Sequence, residues 1–249
     1  MKNPHFYAVI IGTEILNGRR QDKHFAFVRT ALAQRGYELF ASLTIKDDAS
    51  LIEKTFATVR EDKDAVLFSF GGIGSTPDDL TREIASQVFT AEKARRHEQF
   101  EQDIIDRFGG EAYPHRIHMA DLPKGSKLLK NPVNNMSGFY LDERYFFVPG
   151  FPEMAHTMIE EALDRFFPKQ ALKHRRTLKA DTGENTLISL MEELPEGIEL
   201  SSLPMIRDGV PSVELSLASK DESILNHWFE KVKSFLKEEE IGYRLLNER

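Results

Sequence analysis

The chain has 249 residues, of which 41% are hydrophobic and 29% are charged, and its formal net charge is −7. This length allows a full hydrophobic core and a second, smaller domain, whereas the negative charge argues against general nucleic-acid binding, which needs a basic face. Because cysteine is absent, disulfides, thiolate catalysis and zinc–thiolate sites are excluded. The sequence shows neither a secretory signal pattern nor an apolar run of bilayer length. We therefore expect a cytoplasmic protein without a membrane partner.

Strand and helix patterns alternate over the first half of the chain. Short apolar runs predict strands at residues 6–11, 39–45 and 65–70, and apolar residues at helical spacing predict helices at 22–35, 49–61 and from about Pro77. Further helices are predicted at 92–108 and 152–167 and strands at 138–141 and 145–148, with a surface loop or β-arm over 121–137. This alternation is typical of an α/β fold with a mainly parallel sheet and helices on both faces.

The last part of the chain has a different rhythm. Its patterns predict strand, helix, two strands, helix and strand, which is the β-α-β-β-α-β order of a small α+β, ferredoxin-like domain. We place the boundary near residues 168–170 and predict domains at 1–168 and 169–249.

A glycine-rich loop follows the third predicted strand and reads GGIGSTPDD over residues 71–79. Ligands of open parallel sheets bind beyond the carboxyl ends of the strands, where this loop would lie. Glycines at 71, 72 and 74 would let backbone N–H groups approach a phosphate. The spacing fits neither the P-loop nor the dinucleotide fingerprint. The loop therefore predicts a phosphate site of another kind.

Two adjacent acids, Asp78 and Asp79, end the loop. Beside a phosphate they would repel the ligand unless a divalent cation bridged them, and Mg²⁺ commonly takes one or two carboxylates plus phosphate oxygens. The alternative is an ordinary helix start, in which Thr76 caps the helix, Pro77 fills the first turn and Asp79 completes a capping box. Capping does not explain the glycines or the second acid.

Residues 71–81 resemble the GG-x-G-x-T-x-D-D-x-T signature of the MoaB/Mog-like molybdopterin-binding fold, and in detail the N-terminal domain of CinA-type competence/damage-inducible proteins. Residues 10–18, 44–48, 131–133 and 149–154 resemble the family's other elements in the same order. The sequence departs from the family at Thr13, which replaces an aspartate, at Ser75 and Phe151, which replace prolines, and at 134–137. The family's deamidase domain has no counterpart, so we expect a stand-alone form.

The resemblance implies an acidic pair, Asp47 and Asp79, as catalytic residues, and Asp47, Asp78 and Asp79 as ligands of a divalent metal ion (Mg, Mn or Co). The candidate ligand-binding residues are Glu14, Gly71, Gly72, Gly74, Ser75, Thr76, Asp78, Thr81, Asn131, Gly150 and Glu153. Simple alternatives remain for several of them. Asp47 or Asp48 could cap the following helix, Glu14 could be a loop acid, and Glu153 could be favoured by the helix dipole. The segment 115–118 is interpreted as a surface loop with surface histidines.

The resemblance implies a metal-dependent hydrolase that splits the pyrophosphate bond of ADP-ribose or a flavin dinucleotide. The alternatives are a molybdopterin-binding or adenylyl-transferring protein of molybdenum-cofactor metabolism, and a non-catalytic nucleotide-binding module. In each case the expected partner is a phosphorylated, nucleotide-like or pterin-like small molecule, bound by a homo-oligomer (dimer or trimer). The C-terminal domain is expected to shape access to the site or a dimer contact.

Overall fold

The computed structural model describes residues 4–207 and 209–246. The chain divides into two compact units, Met1–Gln170 and Ala171–Arg249. Within the described residues, no helix combines the length and apolar character that a membrane span requires.

The strands of the first unit are β1 (His5–Ile11), β2 (Leu39–Ile45), β3 (Ala65–Phe70), β4 (Arg95–Arg96), β5 (Asp121–Leu122), β6 (Lys127–Leu129), β7 (Gly138–Leu141) and β8 (Tyr145–Val148). Its α-helices are α1 (Thr13–Leu16), α2 (His24–Ala33), α3 (Ala49–Glu61), α4 (Thr81–Ala85), α5 (Glu98–Phe108) and α6 (Pro152–Phe166). A π-helical turn continues α4 over Ser86–Thr90, and 3₁₀ turns span Gly109–Ala112 and Arg116–Ala120.

Six strands form the main sheet in the order β2-β1-β3-β8-β7-β6. The first four strands run parallel, and β7 pairs antiparallel with β8 on one side and with the edge strand β6 on the other. All six residues of β3 are buried, as expected of a parallel strand covered on both faces. The predicted α/β class with a mainly parallel sheet is therefore confirmed.

Each face of this sheet has its own apolar cluster. One face packs against α3, which buries Ile52, Phe56 and Val59, and the other against α2 and α6. The three α3 residues are spaced at i, i+4 and i+7, which places them on one side of the helix. Both faces are rich in phenylalanine, so the sheet gives a rigid support to the loops at its edge.

Two helix starts differ from the prediction. The helix expected from about Pro77 begins at Thr81, because the loop before it is held in another conformation by Asp79, as described below. The helix expected from residue 92 begins at Glu98, where the His97 ring accepts a hydrogen bond from the Phe100 amide (3.3 Å). The segment before it contains β4, which pairs with β5.

The second unit contains β9 (His174–Ala180), α7 (Ile188–Glu192), β10 (Glu199–Arg207), β11 (Val210–Ser219), α8 (Glu222–Glu238) and β12 (Tyr243–Leu246). Its antiparallel sheet has the order β10-β11-β9-β12. Asp221 caps α8 by accepting hydrogen bonds from the amides of Ser223 (2.9 Å) and Ile224 (3.1 Å). The observed order of elements is the predicted β-α-β-β-α-β arrangement.

Candidate functional site

The first half of the glycine loop is fixed by the sheet. Gly71 and Gly72 have positive φ angles of 97° and 67°, which glycine adopts without the strain of a Cβ atom. A Cβ at Gly71 would lie 2.3 Å from the carbonyl oxygen of Ile11, and one at Gly72 would lie 2.3 Å from Thr81 Oγ1. The buried Thr81 hydroxyl donates to the Gly71 carbonyl (3.0 Å). Gly71, Gly72 and Thr81 therefore have packing roles that need no ligand.

Asp79 closes the second half of the loop. Its carboxylate accepts hydrogen bonds from the amide of Gly74 (2.8 Å) and from the amide (2.8 Å) and hydroxyl (2.7 Å) of Thr76. A Cβ at Gly74 would lie 2.5 Å from Asp79 Oδ2. The Thr76 hydroxyl also lies 2.5 Å from Asp78 Oδ1, and this hydrogen bond lowers the pKa of the Asp78 carboxyl. Two amides predicted to face a phosphate are thus directed at an acid of the same chain.

A cavity of about 460 Å³ opens beside this loop. We call it the ring cavity, and it is lined by Gly72, Ile73, Gly74, Ser75, Thr76, Asp79, Phe100, Phe108, Arg116, Met119, Asn134, Met136, Ser137, Pro149, Gly150, Phe151 and Met154. The glycine loop and Gly150 supply its polar edge. Within the described chain, the amides of Ile73 and Ser75 have no hydrogen-bond acceptor. These two donors remain available to a ligand.

The remaining wall of the ring cavity is largely apolar. Phe100 and Phe108 come from α5, and three methionines and Phe151 complete the wall. The Arg116 guanidinium, the only basic group among the lining residues, lies 4.7 Å from the centre of the Phe108 ring. Methionine side chains adapt to flat ligands, and aromatic rings stack with them. The cavity therefore combines a surface for a planar ring with a cation and free amides for an anion.

A second groove, of about 770 Å³, lies against the same loop. It shares Ser75, Thr76 and Arg116 with the ring cavity and is further lined by Pro77, Arg82, Glu111, Tyr113, His115 and His118. We call it the Arg82 groove. The segment 115–118, interpreted from sequence as a surface loop, contributes to it.

Asp47 lies at the end of β2 and bonds to Thr13. The amide (2.7 Å) and the hydroxyl (2.8 Å) of Thr13 both donate to Asp47 Oδ2. The neighbouring Asp48 caps α3 by accepting from the Leu51 amide (2.9 Å). The capping alternative therefore holds for Asp48, while Asp47 contacts the residue that replaces the family's aspartate. Asp47 does not line the ring cavity.

The remaining predicted site residues have separate environments. Asn131 is fully buried, and its side-chain amide donates to Asn134 Oδ1 (2.6 Å) and to the Met136 carbonyl (3.0 Å). It thereby positions two residues of the ring cavity without lining it. Glu14 forms an ion pair with Arg20 at 3.5 Å. Glu153 lies exposed in the first turn of α6 and lines neither cavity.

Two histidine rings pack edge to face at 5.3 Å near the ring cavity, and one of them, His24, lies against Gly150. The buried His24 ring stacks on Phe70 (4.3 Å) and lies 3.4 Å from the Gly150 carbonyl oxygen. His156 stacks on Phe27 at 3.8 Å. Burial lowers the pKa of His24, and it lowers the pKa of His156 from 6.5 to about 4. Both rings are therefore neutral at pH 7.

Sequence reasoning missed the apolar wall and both arginines of the site. Phe100 and Phe108 lie in a helix that the sequence predicts, but helical spacing alone reads them as core residues. Arg82 and Arg116 lie in no recognised motif. Among the described residues, no group of three or more histidine or acidic side chains is arranged to hold a metal ion.

Comparison with known proteins finds relatives of this chain. A "CinA-like protein" of Citrifermentans bemidjiense is 34% identical over 201 residues, which cover 75% of this chain and 47% of the relative. A "CinA-like protein" of Syntrophomonas wolfei is 30% identical over 241 residues, or 91% of this chain and 57% of the relative. The chain thus spans about half the length of these relatives.

The crystal structure of CinA from Thermoplasma acidophilum, described as a protein of unknown function, superimposes with a TM-score of 0.59 at 25% identity and covers 66% of this chain and 98% of that one. Residues 7–174 match the family described as "Probable molybdopterin binding domain". The resemblance found in the glycine loop is therefore confirmed over most of the first unit, and the chain belongs to the molybdopterin-binding domain family.

Proposed function

We propose that the first unit binds a phosphorylated small molecule with a planar ring, nucleotide-like or pterin-like, in the ring cavity. The observation that carries the proposal is the pairing of an apolar wall of phenylalanines and methionines with a polar edge made by the glycine loop. Sites for small ligands typically combine such a wall with a few placed polar groups.

The ligand's ring would lie against Phe108 and Phe151, and its phosphate would take the free amides of Ile73 and Ser75 together with Arg116. The Asp79 carboxylate would not bind the phosphate directly. By holding the amides of Gly74 and Thr76 it keeps the loop in one conformation, so that binding orders little of the chain.

We further propose that the ligand contains a pyrophosphate bond, as in ADP-ribose or a flavin dinucleotide, and that the unit hydrolyses it with a divalent ion (Mg, Mn or Co). The described residues form no three-ligand cage, so they fit only an ion that shares its coordination with phosphate oxygens. Asp78 is exposed beside the loop and would be its protein ligand, with Asp47 as a second acid. When bound, such an ion polarises phosphoryl oxygens and lowers the pKa of bound water.

Thr13 supports the alternative of binding without hydrolysis. Its hydroxyl and amide both engage Asp47, where the family pattern would place a second carboxylate. Threonine supplies no carboxylate, so this position offers a divalent ion one ligand fewer than the family pattern does. This favours a molybdopterin-type or nucleotide-binding module as the second candidate.

Titration of the purified chain with ADP-ribose, flavin adenine dinucleotide and a phosphorylated pterin, by calorimetry and with product analysis, tests the proposal. Each titration is carried out once with Mg²⁺, Mn²⁺ or Co²⁺ and once with a chelator. The Phe151→Ala variant should bind the ring ligand roughly tenfold more weakly, since one stacking face is worth about 1–3 kcal/mol. Phe25→Ala, which removes an exposed phenylalanine outside the cavity, is the control.

Equal affinity of the Phe151→Ala and Phe25→Ala variants would refute the ring cavity as the binding site. Binding without cleavage in every metal arm would refute the hydrolase and leave the binding module.

We also propose that the chain forms a homo-oligomer, a dimer or a trimer. Support comes from the edge strand β2, which leaves Phe40 58% and Leu43 37% exposed, since apolar groups on an open sheet edge favour pairing. Light scattering of the wild-type chain and a Phe40→Lys variant tests this, and a monomeric wild-type chain would refute it.

A further inference from the structure

The Arg82 groove contains a buried cation that forms no ion pair with any residue that the structure describes. Arg82 lies on α4 and is only 8% exposed. Its Nη1 atom is fully buried and has no hydrogen-bond partner in the described chain. Because burying a charge without a partner is costly, such groups are normally paired. The groove that Arg82 lines is therefore the natural place for the missing partner.

The two acids whose charges act on Arg82 accept hydrogen bonds from other donors. Asp79 accepts from the loop amides described above. Asp121 accepts from Arg96 Nε (2.7 Å) and pairs with His118 Nδ1 (2.7 Å). Burial lowers the pKa of Arg82, while the charges of Asp79 and Asp121 act in the opposite direction. An arginine in a protein stays protonated, so the charge remains and needs an anion.

Arg35 shows how this fold treats a buried arginine that has a structural role. It is also 8% exposed, but its Nη2 atom lies 2.6 Å from Asp164 Oδ1 and its Nη1 atom donates to the Ala31 carbonyl (3.2 Å). Arg82 is buried to the same extent as Arg35, but its Nη1 atom has no such partner among the described residues. The difference leaves Arg82 able to bind a group from outside the chain.

The rest of the groove does not neutralise Arg82. Its acid, Glu111, forms an ion pair with Arg116 at 2.9 Å. Hydroxyl groups of Ser75 and Tyr113 add donors at the groove surface. The surroundings of Arg82 therefore offer a cation and neutral donors to an incoming group.

We propose that the Arg82 groove is an oxyanion site, with Arg82 as its binding residue, and that it takes a phosphate or diphosphate group. A guanidinium with free N–H groups binds two oxygens of a phosphate at once. The groove lies beside the ring cavity and shares three lining residues with it, but Arg82 itself does not line that cavity, so the proposal does not depend on the proposed function.

Thermal unfolding of the full chain with rising concentrations of inorganic phosphate, against potassium chloride of equal ionic strength, tests this site. The wild-type Tm should rise by roughly a few degrees once phosphate exceeds its Kd about a hundredfold. Phosphate also stabilises proteins by exclusion from their surface. The rise in Tm of Arg82→Met measures this non-specific effect. Without phosphate, Arg82→Met should be at least as stable as the wild type.

Arg35→Met is the matched control. It should lower the Tm without phosphate, because it removes partnered hydrogen bonds, and it should keep the full phosphate-dependent rise. Equal phosphate-dependent rises in Tm in the wild type and in Arg82→Met would overturn the proposal, because Arg82 would then bind no phosphate. If Arg82→Met does not fold, Arg82→Lys replaces it. Lysine lacks the fork, so phosphate should bind at least tenfold more weakly, and an unchanged Kd would overturn the proposal.

Phe151→Ala separates the two sites. It should lose affinity for the ring ligand and keep the phosphate-dependent rise in Tm. A loss of both in this variant would show that phosphate binds in the ring cavity and would overturn the Arg82 site, while the proposed function would stand.

Discussion

Replacing Asp79 with asparagine tests whether this acid holds the glycine loop together. The carboxylate accepts from two amides and a hydroxyl, and an asparagine can present only one oxygen to them. Its NH₂ group would face an N–H donor. One hydrogen bond to a charged group is worth about 1.5–3 kcal/mol. Because the loop borders solvent and can relax, we expect Asp79→Asn to cost about 2 kcal/mol at the lower part of that range.

That cost corresponds to a fall in Tm of roughly 4–8 °C for a unit of this size. Scanning calorimetry measures it, and hydrogen exchange of the peptide 71–81 locates it. The amides of Gly74 and Thr76 should exchange faster by a factor of roughly 30, which is the equivalent of 2 kcal/mol in the opening equilibrium.

Asp78→Asn is the matched control, since it makes the same chemical change one residue away. Asp78 is exposed and accepts from the Thr76 hydroxyl and from its own backbone amide, but it holds no other part of the loop, so we expect a change within about 0.5 kcal/mol. Equal Tm values and equal exchange in the two variants would refute the loop-closing role of Asp79.

Three further predictions concern Gly74, Thr13 and His156. Gly74→Ala brings a Cβ to 2.5 Å from a carboxylate oxygen and should cost about 1–3 kcal/mol, whereas Gly110→Ala, with open space around it, should be neutral; equal unfolding curves in urea would contradict this. Thr13→Asp places a second carboxylate against Asp47 and should lower the Tm in chelator. Added Mg²⁺ or Co²⁺ should then raise the Tm of the variant more than that of the wild type, and a metal-independent Tm would count against a divalent site. The pKa of His156 is lowered by burial from 6.5 to about 4. Its contribution to the free energy of unfolding is therefore complete above pH 6.5. That contribution is lost as the pH falls towards 4, because in this range the unfolded chain binds a proton that the folded chain does not. His156→Phe should lose less stability between pH 7 and pH 5 than the wild type. Parallel pH profiles of the two proteins would exclude His156 as a source of the pH dependence.

The elements that the sequence predicted well are those with a strong local signal. The β3 run and the Ile52, Phe56 and Val59 spacing of α3 are set by burial on a regular element, so the α/β class with a mainly parallel sheet followed from such patterns. The glycine loop and its two acids also identified the family, because they form a contiguous motif. The capping role of Asp48 was one of the stated alternatives.

What the sequence could not give is the direction in which each loop group points. It placed Gly72 and Gly74 beside a phosphate, yet their missing Cβ atoms make room for Thr81 and Asp79. It also left Asp79 available to a metal, whereas the folded loop uses that carboxylate to bind its own amides.

Tertiary structure alone decided the site's walls and its uncompensated charge. Phe108 and Met154 are far apart in the chain and pack on different faces of the sheet, and only the folded chain brings both to the lining of one cavity. Arg82 looks like any helix arginine in the sequence, and only the folded chain shows that its neighbouring acids are occupied elsewhere. The physical reason is that helix and strand patterns depend on neighbours within a few residues, whereas the pairing of a buried charge depends on every group that folding brings within a few ångströms of it.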